Sequence, residues 1–453
     1  MSANLGRILA PDEIEALEHG IIEDAEAGRE AAAWRKAQAL RKTQPHQPEA
    51  AKALLRIVER QCLPADRAVD VLSEIAQSHR QDAAILSMLG ECLEAVRDID
   101  DLNAPPPGEP VFRDTVDRLA ALAEDNKGGS EEEAILRGLA TAARMCARQY
   151  DGIAEMSYKR LVAIDPQDSA WHYNLGLFFK TRGRFAEGME ANREAARLAG
   201  EPSEGCEWNL GICATGAGEG AAALEVWKRM EQIIEMGRFG LPEGGYPQCK
   251  VRLAERPLAE RGAGEDDPGL EETVWIERLS PCHGIVRSVL YQDLGVDYGD
   301  VILMDGAPVT YHTYGDTKVP VFPHLATLLR RGYRIFDFAG TQDGTGRLAD
   351  ASTGLEGDAI VYSHSENFQI LCAGCWRDPD LDHEHHESME KHVVTGRIAA
   401  PADTDPGQLL DQLDRAVAER SPCQLYAPDL CRAAGQQRRA EVDERRFDLL
   451  RGN

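Results

Sequence analysis

Apolar residues recur at helical intervals through the first half of the chain. Ile14, Leu17, Ile21 and Ile22 fall on one side of a segment that starts near Pro11, with Asp12 placed to cap it. Trp34 and Leu40 mark a second, Ala-rich segment, and Ala53, Leu54, Ile57 and Val58 a third. Gln44-Pro45 and Gln47-Pro48 punctuate this run, because a residue before Pro is steered away from helix. Beyond Leu63-Pro64-Ala65-Asp66, one helix carries Ala68, Val71, Leu72 and Ile75, and another, from Ala83 to Val96, contains Leu89-Gly90. A Gly in mid-helix costs about 1 kcal/mol relative to Ala, so Gly90 predicts close packing of the two helices of one hairpin. Asn103 to Pro110 reads as a Pro-rich linker. Helices over Ala134–Tyr150 and Gly152–Ile164 follow, closed by Asp165-Pro166.

A repeat then emerges. Leu175-Gly176 returns as Leu210-Gly211, each preceded by Asn, and Gly183 returns as Gly218. The unit is a helix-turn-helix with a period of about 34 residues. Over roughly Ile135 to Met236 the sequence resembles tetratricopeptide repeats. In one unit Gly176, Phe179, Gly183, Phe185 and Ala195 match; Ala154, Tyr158 and Pro166 match before it, and Gly211, Gly218, Ala223 and Trp227 after it. Gly188, Asn192 and Gly200 depart from the pattern. The resemblance implies hairpins that cover each other's apolar faces and stack into an α-solenoid. It also implies a concave groove in which Asn174 and Asn209 bond the backbone of a bound peptide and Lys180 adds charge.

The pattern changes after Gly237. A Gly- and Pro-rich linker over 237–271 gives way to β-branched runs: Thr273–Ile276, Ile285-Val286 and Val301–Met304, a short helix over His324–Arg331, then Tyr333–Phe338. A second round reads Ala359–Tyr362, Phe368–Leu371 and His392–Val394 as strands, Pro406–Arg420 as a helix capped by Asp405, Gln424–Tyr426 as a strand, and Gln436–Arg451 as a charged helix. Both rounds run strand, strand, strand, Ala-Pro, helix, strand, which suggests an internal duplication within one mixed α/β domain. The expected organisation is a helical region with degenerate repeats over 1–102, tetratricopeptide-like repeats over 111–236, a linker over 237–271, and an α/β domain over 272–453.

Charge narrows the partners. A net charge of −27 repels phosphate backbones and anionic lipid, which argues against nucleic-acid and membrane-surface binding and favours a basic protein or peptide. No apolar run is long enough to span a membrane. Eleven cysteines, an odd number, follow a start without a secretory signal, and a reducing cytoplasm is expected.

Eight of the 12 histidines lie after residue 282, so the chemistry is sought in the back half. Cys372-x-x-Cys375 followed by His383 and His385 offers two thiolates and two imidazoles, a soft tetrahedral set suited to zinc. Asp380, Asp382, Glu384 and Glu387 flank it as partners for the imidazoles. A redox role for Cys372 and Cys375 would require a helix opening at the pair, and none is evident in the pattern. Cys282-His283, in a turn, offers a thiol nucleophile served by His312, His324 or His364 as base. Asp343-Gly-Thr-Gly346 reads as a hairpin turn. Two functions follow: a scaffold that recruits a protein partner and carries a structural zinc, or a thiol- or metal-dependent hydrolase or transferase that recruits substrate through its repeats.

Overall fold

The structure is a computed structural model. It describes residues 8–97, 109–201, 203–262, 266–343, 346–378, 383–420 and 422–452. Two compact units divide the chain, one formed by 1–232 with 259–267 and the other by 233–258 with 268–453.

The first unit is helical. Its helices are α1 (Pro11–Glu26), α2 (Glu30–Thr43), α3 (Pro48–Glu59), α4 (Ala65–Ser78), α5 (Ala83–Arg97), α6 (Glu109–Asp125), α7 (Glu132–Met145), α8 (Asp151–Ile164), α9 (Ser169–Thr181), α10 (Phe185–Leu198), α11 (Glu204–Gly216) and α12 (Gly220–Arg229). Asp12 sits inside the first turn of α1, one residue past its expected place; Ala10 is the cap residue, and its N–H is held by Glu13. The linker expected over 103–110 lies mostly outside the described residues. Asp168 and Ser203 cap α9 and α11, each accepting from a first-turn backbone N–H.

The repeated glycines have physical work. Gly183 and Gly218 have φ of +70° and +77°, the left-handed conformation that ends the first helix of each hairpin. A Cβ on Gly211 would lie 2.5 Å from the ring of Trp227, so a side chain there would displace a fully buried indole. Gly90 also marks a close approach, but not within a hairpin. Its Cα faces Gly138 of α7, and a Cβ would meet that backbone carbonyl.

Part of the expected linker belongs to the helical unit. Arg148 donates from its backbone N–H to Asp266 at 2.9 Å, and from its guanidinium to the carbonyls of Arg261 and Thr181. These bonds bind the 259–267 segment to the repeat surface.

The second unit is sheet-rich. A short ladder pairs β1 (Ile234–Met236) with β2 (Pro242–Gly244). A second sheet contains β3 (Cys249–Ala254), β4 (Glu271–Arg278), β5 (His283–Val286), β6 (Val301–Met304), β7 (Thr310–Tyr314) and β8 (Thr317–Leu329), in the order β3-β4-β5-β6-β8-β7. β3 also pairs in parallel with β8, so five strands close into a barrel around Val251, Val274, Ile276, Ile302 and Phe322. The third sheet has the order β10-β11-β9-β12, with β9 (Arg334–Gln342), β10 (Ile360–Cys372), β11 (Glu387–Ala400) and β12 (Gln424–Tyr426). α13 (Ala373–Arg377) joins β10 to β11, and α14 (Pro406–Ala418), α15 (Pro428–Ala433) and α16 (Gln437–Arg451) follow. Leu409, Leu410 and Leu413 of α14 pack on Phe336, Phe338 and Ile398. Asp405 caps α14 through Gln408 N–H.

Three expectations change here. The helix expected over His324–Arg331 is the second half of β8, because its apolar residues satisfy the barrel wall rather than a helical stripe. The 237–271 segment supplies β2 and β3, and Cys249 is buried in the barrel. The two rounds of the back half do not share a topology: the first closes as a barrel and carries no helix of its own, while the second is an open sheet covered by helices.

Candidate metal centre

β10 and β11 form a long hairpin, and its tip brings four ligand-bearing residues together. Cys372 is the last residue of β10 and stands before the single turn of α13. That turn returns Cys375 toward it. His383 and His385 follow just before β11, whose Glu387 pairs with Cys372. Cys372 Sγ lies 3.1 Å from His383 Nε2, and Cys375 Sγ lies 3.1 Å from His385 Nδ1 and 3.6 Å from His383 Nε2. All four ligand atoms fall within 4.8 Å of one another. A zinc tetrahedron with bonds of about 2.0–2.3 Å has edges of about 3.3–3.8 Å; the three thiol–imidazole separations lie near that range, and the widest spread of 4.8 Å would have to close by about 1 Å around one ion.

The backbone prepares the site. Cys375 N–H, then His386 N–H and the His383 ring, draw the Cys372 thiol down to about 5. Burial pushes Cys375 the other way, and the neighbouring Cys372 adds to it. Gly374 is the residue a side chain cannot replace, since a Cβ there would sit 2.5 Å from His383 Nε2. Trp376 anchors the turn, with the Lys391 ammonium 4.8 Å and the Arg446 guanidinium 5.0 Å from its ring. Of the flanking acids, Asp380 and Asp382 lie outside the described residues, as does the Glu387 side chain. Glu384 is exposed and reaches His386, not a ligand. A helix does open after Cys372, contrary to the sequence expectation, and two imidazoles stand beside the thiols, a grouping that could hold a metal ion.

The other candidate sites fare differently. Cys282 and His283 are fully buried. Ser280 Oγ accepts from the N–H groups of both and touches His283 Nδ1 at 2.5 Å, which locks the turn. Burial pushes His283 down to about 4. A nucleophile and base sealed in a barrel wall have no path to a substrate, so the catalytic expectation for this pair is corrected. The expected bases are engaged elsewhere. His324 accepts from Ala254 N–H, His364 is bonded to the Val289 carbonyl and stacks on Tyr291, and His312 meets Lys250. Asp343 and Gly346 bridge across a turn whose central residues are outside the described set.

Two of the three expected groove residues are also turned inward. Lys180, 3% exposed, donates to Asn209 Oδ1 at 2.9 Å, and Asn209 is 5% exposed. The pair joins α9 to α11 in the packing between hairpins, rather than lining an open wall. Asn174 is half-buried. Sequence spacing located these residues on the right helices but could not give their facing, because a buried Lys reads as an exposed one.

No family model matches the sequence, and no curated protein matches it. Several solved structures are similar to part of this chain, each at low identity and low TM-score. One is PilW, described as a widely conserved type IV pilus biogenesis factor, at 14% identity over 48% of this chain and 92% of that chain, with a TM-score of 0.36. Pseudomonas aeruginosa pilF is similar at 12% identity over 49% and 91%, TM-score 0.32. A tetratricopeptide repeat protein from Parabacteroides merdae is similar at 15% identity over 49% and 93%, TM-score 0.25.

Proposed function

We propose that the chain is a scaffold whose stacked helical hairpins recruit a protein or peptide partner, and whose second unit is stapled by a structural zinc at the β10–β11 tip. The observation that carries this reading is the closed ligand set. Catalytic zinc keeps an open position for water, whereas Cys372, Cys375, His383 and His385 would together fill all four positions of one ion. The net charge of −27 favours a basic partner. A reducing compartment such as the cytoplasm suits eleven cysteines with no disulfide among them. Among the described residues no helix is long and apolar enough to cross a membrane.

Metal analysis of the full chain tests the zinc. One zinc per chain is expected after zinc loading and dialysis, with loss in Cys372→Ser and Cys375→Ser. Absence of stoichiometric zinc in the loaded wild type overturns the centre. For recruitment, crosslinks to a bound partner should fall on α9–α12; crosslinks confined to the second unit would overturn that half of the reading.

A further inference from the structure

On the outer face of the barrel, Lys250 has no counter-charge within ion-pair reach among the described residues. Cys249, Val251 and Leu253 of β3 point into the barrel core, so Lys250 between them points out. Trp275 of β4 is its direct cross-strand neighbour. His312 and Tyr314, two apart on β7, share the adjoining face. The Lys250 ammonium lies 4.9 Å from the centre of the Trp275 ring and 5.0 Å from that of Tyr314. It touches the Tyr314 hydroxyl and sits 3.4 Å from His312 Nδ1. Lys250 is only 9% exposed, while Tyr314 beside it is 48% exposed, so the cluster opens to solvent on one side.

A donor count defines what is missing. An ammonium has three N–H donors and no acceptor. The Tyr314 oxygen and His312 Nδ1 must therefore both accept from Lys250, which leaves the hydrogen of His312 on Nε2. The third Lys250 N–H, the Tyr314 O–H and the His312 Nε2–H are all donors, and the cluster contributes no acceptor for them. Among the described residues no carboxylate lies within ion-pair reach of Lys250, in a chain with 77 acidic and 50 basic residues. A charge this buried is costly unless paired.

We propose that Lys250, Tyr314 and His312 form a binding site for an oxyanion, the carboxylate or phosphate group of a small ligand, with Trp275 as its apolar wall. Full-length protein labelled at the histidine ring carbons is titrated by NMR with inorganic phosphate and, separately, with acetate, at constant ionic strength set by sodium chloride. A saturable shift of the His312 signal is expected with one anion or both: phosphate alone identifies a phosphate ligand, acetate alone a carboxylate, and both a general oxyanion site. Lys250→Met should weaken binding by about tenfold or more, the size of one charge-assisted hydrogen bond. No saturable shift with either anion, or equal binding by wild type and Lys250→Met, overturns the site. If Lys250→Met does not fold by circular dichroism, Tyr314→Phe decides, since it keeps the ring and removes the hydroxyl: unchanged affinity overturns the proposal, and weakened affinity supports it.

Discussion

Replacing His283 with Asn should remove one source of acid sensitivity from the barrel. His283 is wholly buried, and burial lowers its imidazole from the ordinary 6.5 to about 4. The unfolded chain therefore takes up a proton near pH 6.5 that the folded chain refuses until about pH 4. Where the unfolded state binds more protons, stability rises with pH. The neutral imidazole is thus fully tolerated above about pH 6.5, and stability drains away as pH falls through the window. Each unit of pKa difference is worth about 1.4 kcal/mol, giving about 3 kcal/mol across the window and about 2 kcal/mol by pH 5. His324, also lowered to about 4, and the buried Asp297 and Asp300, raised by burial, remain in both proteins and cancel. Asn keeps a polar group beside the Ser280 hydroxyl and does not titrate. The assay is urea unfolding at a series of pH values, read by hydrogen-exchange mass spectrometry on β5 and β6 peptides. Wild type should lose about 2 kcal/mol more than His283→Asn between neutral pH and about pH 5. Parallel pH profiles for the two proteins would refute a buried, neutral His283. They would also reopen the question of whether Cys282 has a usable base.

Two further outcomes are expected. Asn209→Ala leaves the buried Lys180 ammonium short of one acceptor, and should cost about 1–3 kcal/mol in a urea melt followed by helical circular dichroism; an unchanged melt would place the pair at an open surface. Iodoacetamide applied to the chelator-treated native protein should label Cys372 and spare the fully buried Cys282, with zinc restoring protection to Cys372; mass-spectrometric detection of Cys282 labelling without denaturant contradicts the sealed turn.

The helical half was legible because its signals are local. Gly183 and Gly218 announce turns through backbone conformation alone, and Gly211 opposite Trp227 is a packing rule carried by residue size. The grouping of Cys372, Cys375, His383 and His385 was legible for the same reason: a two-residue gap between thiols and a one-residue gap between imidazoles confine them to a single turn and one strand end. What stayed hidden depends on partners far along the chain. Leu325 to Leu329 is an apolar run that suits helix or strand until β6 lies beside it. Cys249 to Ala254 sits between Gly- and Pro-rich stretches, and only pairing with β4 and β8 makes it a strand. Lys180 and Lys250 are buried by tertiary packing, which composition does not encode.

The parallel pairing of Lys250–Arg252 with Val321–Pro323 joins segments some seventy residues apart in the chain. Closing so long a loop loses chain entropy before any contact rewards it, and such topologies fold slowly. The helical unit, held by neighbouring hairpins, is set to reach its native state first. The barrel seam is the late step, and until it seals, β3 and β8 each present a bare strand edge to other chains.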